Sequence, residues 1–207
     1  FHSNGHFLSD HLIEALIDAG LDEINIAIDG MSQYTYEQYR VGGFVDTVKN
    51  GIVRFCLIKR ELKSKTPRIN LQYLVMSHNE HEIKDLYRFA SYAGVDWVFL
   101  KTVNIMHGIH SGDKSYLPSD SRYSRYKIEN GKIQLVRTHK CSRIFSELVV
   151  NWDGFISLCI NDNLQLKEIN GNVFKDDLKE IIFGHDFIEA RRKCLNMEYD
   201  ICRYCVE

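Results

Sequence analysis

Four cysteines in this sequence have the types and spacing of a metal site. Cys141 and Cys159 bracket a stretch that reads as a β-hairpin. One apolar run (Leu148, Val149, Val150) leads into Asp153-Gly154, and a second (Phe155, Ile156, Leu158) leads out. Asp-Gly supplies the positive φ of a tight hairpin turn, so the second strand carries Cys159 back toward Cys141. Near the C-terminus, Cys202-Arg-Tyr-Cys205 adds a Cys-x-x-Cys pair, the spacing of a chelating knuckle. Three chemistries suit four such thiols: an iron–sulfur cluster, a structural zinc ion, or ordinary buried cysteines and disulfides. Zinc ribbons usually carry two knuckles and this chain has one, which favours the cluster. Nothing in the sequence indicates secretion, which disfavours disulfides.

The other two cysteines read differently. Cys56 falls on the apolar face of a helix and is assigned to the core. Cys194 lies in a helical tail without knuckle spacing and is set apart from the metal set. The pairs His78/His81 and His107/His110 lack an acid–histidine signature and read as surface or capping residues. Tyr116, Tyr123 and Tyr126 with Arg122 and Arg125 lie between the α/β region and the cysteine hairpin, where a substrate would sit, although most read as a solvated loop. With 26 basic and 28 acidic residues, no global field favours nucleic acid. No apolar run reaches membrane-spanning length, and no signal peptide is seen, so a cytoplasmic location is expected.

The elements that must position these residues follow from patterning. The 207 residues are 44% hydrophobic and 26% charged, which suits one soluble domain with a small appendage. Phe1–Gly5 reads as the end of a strand. Ser9 caps a helix that Gly20 closes, with Leu12, Ile13, Leu16 and Ile17 on one face. A strand covers 23–28 and ends at Asp29-Gly30. A short helix is expected around Tyr36–Arg40 and a long one over about 44–63. Strands follow at 68–76 and 95–103, separated by a helix that Asn79 caps and Gly94 ends. Such alternation means parallel strands with helices outside, and it directs attention to the strand ends, where Asp29 and Asn104 fall. After Asn104 the alternation stops. The stretch Lys132–Val136, the cysteine hairpin, a stretch with Gly171-Asn172 and a helical tail over about 176–194 follow.

Ser3-Asn4-Gly5-(x)2-Leu8, Ala-Gly-Leu-Asp at 19–22, Ile-Ala-Ile-Asp-Gly at 26–30 and Tyr-Arg-Val-Gly-Gly at 39–43 together resemble the middle of a radical S-adenosylmethionine (SAM) core. The downstream order Cys-x12-Gly-x4-Cys, Gly171-Asn172, Cys-x2-Cys resembles the SPASM or shortened twitch auxiliary-cluster domain. The pattern is most similar to the butirosin-pathway 2-deoxy-scyllo-inosamine dehydrogenase type. This implies an α/β fold: part of a (β/α) radical SAM barrel over 1–110, then a linker and a hairpin-plus-helix auxiliary domain over 111–207. It implies Cys141, Cys159, Cys202 and Cys205 as ligands of one auxiliary [4Fe–4S] cluster. It also implies Arg40 at the SAM carboxylate, with Ser3, Asn4 and Asp29 facing the cofactor side. A guanidinium suits a carboxylate through two parallel hydrogen bonds.

Two departures stand out. Radical SAM enzymes hold the SAM-cleaving [4Fe–4S] cluster with Cys-x3-Cys-x2-Cys, and this sequence has no such triplet. The chain is therefore expected to be the C-terminal part of a longer enzyme, lacking roughly a hundred residues, and is not expected to cleave SAM by itself. Ala27 stands where the family often has Ser, which removes one hydrogen bond toward the cofactor. The implied activity is hydrogen abstraction by a 5′-deoxyadenosyl radical, with the auxiliary cluster accepting an electron or binding substrate. The implied substrate is a sugar- or cyclitol-like alcohol oxidised to a ketone, with reducing equivalents from an electron-donor protein. A radical SAM peptide maturase and a non-catalytic iron–sulfur or zinc module are the alternatives.

Overall fold

Alternating apolar residues build one sheet. The computed structural model describes residues 1–104, 115–136, 141–162, 169, 171–203 and 205. Its first elements are β1 (His2–Ser3), α1 (Asp10–Asp18), β2 (Glu23–Ala27), α2 (Gln33–Glu37), α3 (Val45–Glu61), β3 (Arg68–Val75), α4 (Ile83–Ala93) and β4 (Trp97–Thr102). The four strands are hydrogen-bonded in the order β1-β2-β3-β4, all parallel. Ser3 lies opposite Ile26, Ile26 opposite Leu71, and Leu71 opposite Val98. Ile24, Ile26, Ile69, Leu71 and Tyr73 join Ile13, Val48, Ile52, Phe55 and Leu86 from the helices in one buried core. Each such side chain contributes about 1.5–3 kcal/mol when fully buried.

The helix ends show why these residues stop where they do. Ser9 Oγ accepts the Leu12 N–H at 3.3 Å, as the sequence predicts. α3 has no side-chain cap of its own. Instead, Gln33 Oε1 of α2 accepts the Val45 N–H at 3.0 Å, and His6 Nε2 accepts that of Phe44 at 3.0 Å. α4 ends on Gly94 at φ +79, which returns its N–H to Ala90.

Two local expectations are corrected. The short helix spans Gln33–Glu37 rather than 36–40, because Ser32 Oγ accepts the Thr35 N–H and starts the turn earlier. Asn79 does not cap α4. It is fully buried: its Oδ1 accepts the Met76 N–H, and its Nδ2 donates to the carbonyls of Asp29 and Leu74. A 3₁₀ turn over Glu80–Glu82 leads into α4 instead.

The chain divides into two compact units, Phe1–Gln134 and Leu135–Glu207. Residues 115–126 go with the first unit. Glu80 accepts the N–H groups of Ser119 and Asp120, and the Tyr126 hydroxyl donates to Asn104 Oδ1. Next come β5 (Tyr126–Glu129) and β6 (Lys132–Leu135), paired through Asn130-Gly131, both at positive φ. Histidines 107 and 110 lie outside the described residues.

The second unit holds α5 (Arg143–Ser146), β7 (Val149–Val150), β8 (Ile156–Ser157), α6 (Leu178–Phe183), α7 (His185–Leu195) and α8 (Asp200–Arg203). β7 and β8 are antiparallel, with Val150 opposite Ile156. Gly154, at φ +84, turns between them. Ile144, Ile156, Leu158, Ile181, Phe187 and Ala190 make a second core that includes Cys194 and Cys202.

Candidate metal centre

Five thiols converge in the second unit. The hairpin brings Cys159, just past β8, to the same cleft as Cys141, just ahead of α5. α8 carries Cys202, and the Cys205 N–H turns back onto the Cys202 carbonyl at 3.2 Å. The fifth is Cys194, in the last turn of α7. All five line one cleft, whose other walls include Ile144, Met197 and Ile201.

Knuckle spacing alone did not place Cys194 here. Its Sγ lies 3.3 Å from that of Cys202, and both residues are buried, 3% and 8% exposed. The eight-residue step between them crosses a turn in which Met197 adopts φ +56 and donates its N–H to the Cys194 carbonyl. Reading α7 and α8 as one helix–turn–helix would have revealed the approach. The periodicity of α7 did give a signal, since Phe187, Ala190 and Cys194 share its buried face.

The sulfurs perturb one another. The hydrogen bond with Cys202 holds Cys194 down, to about 7, and the same contact together with burial pushes Cys202 up. Cys202 donates in this contact and Cys194 accepts. Burial raises Cys159, opposed by N–H donation from Asn161 and Asp162. The Asn161 side chain also reaches Cys205 Sγ at 3.8 Å. Amide donors aimed at sulfur are what a thiolate ligand requires, and apolar walls keep water from it. Among the described residues no carboxylate lines this apolar cleft, so its chemistry is that of a sulfur-ligated centre, although the thiols are not drawn together tightly enough here for three of them to hold one ion.

The strand-end residues occupy the first unit. Asp29, 1% exposed, accepts the Leu74 N–H on Oδ1 at 2.8 Å and the Arg40 Nε–H on Oδ2 at 2.7 Å. Both carboxylate oxygens are thus engaged inside the protein, and Asp29 orients Arg40. The Arg40 side chain is 31% exposed and lines an open pocket of about 690 Å³ with Asn4, His6, Tyr36 and Phe44. Ser3 Oγ accepts the Gly5 N–H and Asn4 Oδ1 that of His6, so both shape the turn after β1. His6 Nε2 accepts from Phe44, which leaves Nδ1 as the N–H that donates to the Asn4 carbonyl.

Tyr36 lies beneath this pocket, fully buried, and its hydroxyl has no hydrogen-bond partner. Burial pushes it up, and the Arg40 charge opposes the shift. Gly30 is required at its position: an added Cβ would lie 2.5 Å from the Tyr36 backbone nitrogen. The Tyr116 ring meets Tyr39 and His78 edge-on, within the first unit. Arg122 is held by Asp120, and Arg125 Nε donates to the Thr102 hydroxyl.

Comparison with known proteins gives these observations a family. Residues 141–206 match SPASM, described as an iron–sulfur cluster-binding domain. The chain is 26% identical over 214 residues to a GTP 3′,8-cyclase of Saccharophagus degradans, covering 88% of this chain and 58% of that protein. It is 24% identical over 213 residues to the GTP 3′,8-cyclase of Limosilactobacillus fermentum, covering 91% and 59%. A Listeria monocytogenes GTP 3′,8-cyclase is 30% identical over 108 residues, 52% of this chain and 31% of the relative. The chain thus spans 58% and 59% of the length of the first two. An iron–sulfur cluster, rather than zinc, is the group that such a domain binds. Among the described residues no helix is long and apolar enough to cross a membrane.

Proposed function

Since this chain is a radical SAM/SPASM protein, we propose that it belongs to an oxidoreductase that converts a sugar- or cyclitol-like alcohol to a ketone. The observation that carries this reading is the thiol supply of the cleft. A [4Fe–4S] cluster takes four thiolates, one per iron, and Cys141, Cys159, Cys202 and Cys205 supply them with Cys194 to spare. A cluster with every iron held by protein has no open iron for substrate, and it suits electron transfer. When bound, SAM supplies the hydrogen-abstracting radical and the auxiliary cluster an electron acceptor.

The residues of the chain do the positioning. Arg40, anchored by Asp29, presents its remaining donors to a carboxylate such as that of SAM. The bond between His6 and Phe44 keeps the pocket wall in register with the start of α3. Asn161 and Asp162 direct N–H donors at Cys159, which stabilises it as a thiolate. Oxidation of an alcohol to a ketone removes a hydrogen atom, an electron and a proton in all, and Cys141, Cys159, Cys202 and Cys205 would hold the cluster that could take the electron. An electron-donor protein supplies the reducing electron for SAM cleavage.

The names of the relatives favour a second reading, a cyclase acting on GTP. A triphosphate calls for clustered cations, and among the described residues no Lys or Arg lines the cysteine cleft. The test uses the intact enzyme, reconstituted anaerobically with iron and sulfide and supplied with SAM and a reductant. Cyclitol and sugar alcohols are offered in one series and GTP in another, with 5′-deoxyadenosine, ketone and consumed GTP measured. Ketone and 5′-deoxyadenosine formed in equal amounts from an alcohol are the expected result. Consumption of GTP in place of the alcohols overturns the reading.

A further inference from the structure

Tyr36 carries a polar group that the fold leaves unsatisfied. The residue is fully buried, yet its hydroxyl has no hydrogen-bond partner. It forms part of the floor of the Arg40 pocket. Resting on the reading that Arg40 takes the carboxylate of SAM, we infer that the Tyr36 hydroxyl is a second donor to that carboxylate, reached when the Gly42-Gly43 turn gives way to the ligand.

Three observations point there. First, the hydroxyl is not used inside the protein, and a buried hydroxyl without a partner costs stability. The charges of Arg40 and Asp29 both reach the phenol, but neither group bonds it. Asp29 Oδ1 is taken by the Leu74 N–H and Oδ2 by Arg40, and a guanidinium has no acceptor to offer. Second, Tyr36 and Arg40 leave the same turn of backbone. The Arg40 N–H donates to the Tyr36 carbonyl at 2.9 Å, and a four-residue step of this kind sets two side chains on one face. Third, the cover over the ring is backbone. Gly43 also lines the pocket, and a Cβ there would lie 2.8 Å from Tyr36 Cε1. The turn is held by two hydrogen bonds, Gly43 N–H to the Arg40 carbonyl at 2.9 Å and the Gln33 amide to the Gly43 carbonyl at 2.8 Å, rather than by packed side chains of its own.

The chemistry follows from the donors that remain. Arg40 gives Nε and one amino group to Asp29 and keeps the other amino group for a ligand. A carboxylate has two oxygens that accept, so one guanidinium edge leaves acceptor capacity over. The phenol has a proton to give, because burial holds it in the neutral form. An O–H donor to a carboxylate is a charge-assisted hydrogen bond, stronger than one between neutral groups. The ligand thus supplies the acceptor that the fold withholds from Tyr36.

The test uses the intact enzyme, reconstituted anaerobically with iron and sulfide, as wild type, Tyr36→Phe and Arg40→Ala. Each is titrated by calorimetry with SAM and with decarboxylated SAM, and its thermal unfolding is followed without ligand. Tyr36→Phe removes the hydroxyl and keeps the ring. Its unliganded transition should stay where it is or rise, since an unpaired buried hydroxyl is lost. Its affinity for SAM should fall about tenfold, the effect of one charge-assisted hydrogen bond, with no such fall for decarboxylated SAM. Wild-type SAM affinity in Tyr36→Phe, alongside weakened binding in Arg40→Ala, overturns the inference and leaves the Arg40 reading standing. A lowered unliganded transition in Tyr36→Phe would show that the hydroxyl serves the fold, and an equal loss toward decarboxylated SAM would place it away from the carboxylate; either overturns the inference. If Arg40→Ala binds SAM as wild type does, or wild type binds none, the Arg40 reading itself falls, and the inference with it.

Discussion

Gly154→Ala should disable the cysteine cleft without touching a cysteine. Gly154 turns the hairpin at φ +84, a conformation that costs a non-glycine residue about 1–2 kcal/mol. Space adds to the penalty. A Cβ at this position would lie 2.5 Å from Asn172 Oδ1 and 2.6 Å from Phe174 Cδ2. Phe174 is exposed and moves cheaply. Asn172 does not: its Nδ2 donates to the Asp153 carbonyl and its Oδ1 accepts the Phe174 N–H. Displacing it sacrifices at least one of these bonds, for about 0.5–1.5 kcal/mol more. The total is about 1.5–3.5 kcal/mol, against the 3–5 kcal/mol that the core of a unit of roughly seventy residues supplies. Gly20→Ala is the control, since Gly20 also has positive φ but no atom near its missing Cβ. Urea unfolding followed by circular dichroism, with iron counted after reconstitution, decides the matter. A Gly154→Ala protein within about 0.5 kcal/mol of wild type that retains its full iron would refute the reasoning.

Arg40→Lys should weaken SAM binding to the reconstituted enzyme about tenfold, or 1.4 kcal/mol, because an ammonium cannot hold Asp29 and a ligand carboxylate in one plane; unchanged affinity in isothermal titration rejects the assigned role. Glu80 offers a test by pH. Burial raises it, but hydrogen bonds from Ser119 and Asp120 prevail and hold it below the usual carboxylate range. A carboxyl lowered in the folded state adds stability above its unfolded pKa and loses it as pH falls through the folded value. Acidification through and below that range should therefore release residues 115–120 from Glu80. Glu80→Gln should flatten the response, read as proteolytic nicking near Ser119 against pH, and a Gln variant with the wild-type profile would remove Glu80 from the account.

Much of the first unit was legible because its signals are local. Ile24, Ile26 and Ile28 fall at every second position, and Val48, Ile52 and Phe55 recur at helical spacing, so strand and helix follow from period alone. The misreadings involved side chains that act over distance. Asn79 looks like an N-cap because Glu82 follows three residues later. In the fold, its amide gains more by bridging Asp29, Leu74 and Met76, whose backbone groups would otherwise be buried without partners. Asp29, read as facing the cofactor side at a strand end, also acts over distance, accepting from Leu74 and Arg40; that is no misreading of its place. Spacing brought Cys141, Cys159, Cys202 and Cys205 together on the page. Cys194 required the turn at Met197, where a non-glycine residue takes positive φ and no composition rule announces it.

The same geometry makes metal and folding one equilibrium in the second unit. Among the described residues its buried core holds only a few aliphatic side chains and one large aromatic, Phe187, and two of its buried members are the thiols Cys194 and Cys202. β7 and β8 have two residues each and α8 has four, too short to persist without tertiary support. A bound cluster would tie the α5 end, the hairpin and α8 through one set of sulfur bonds, and binding of this kind adds directly to folding stability. The first unit has its own larger core. Stripping iron with a chelator under reducing conditions should therefore lower the unfolding transition of the second unit by more than about 10 °C, several kcal/mol for a unit of this size, while that of the first moves little. Hydrogen exchange resolves the two, with amides of Ile156, Ile181 and Ala190 reporting on one and those of Ile26, Leu71 and Phe55 on the other. Equal loss of protection in both sets, or none in either, would show that the cluster is not what holds the second unit together.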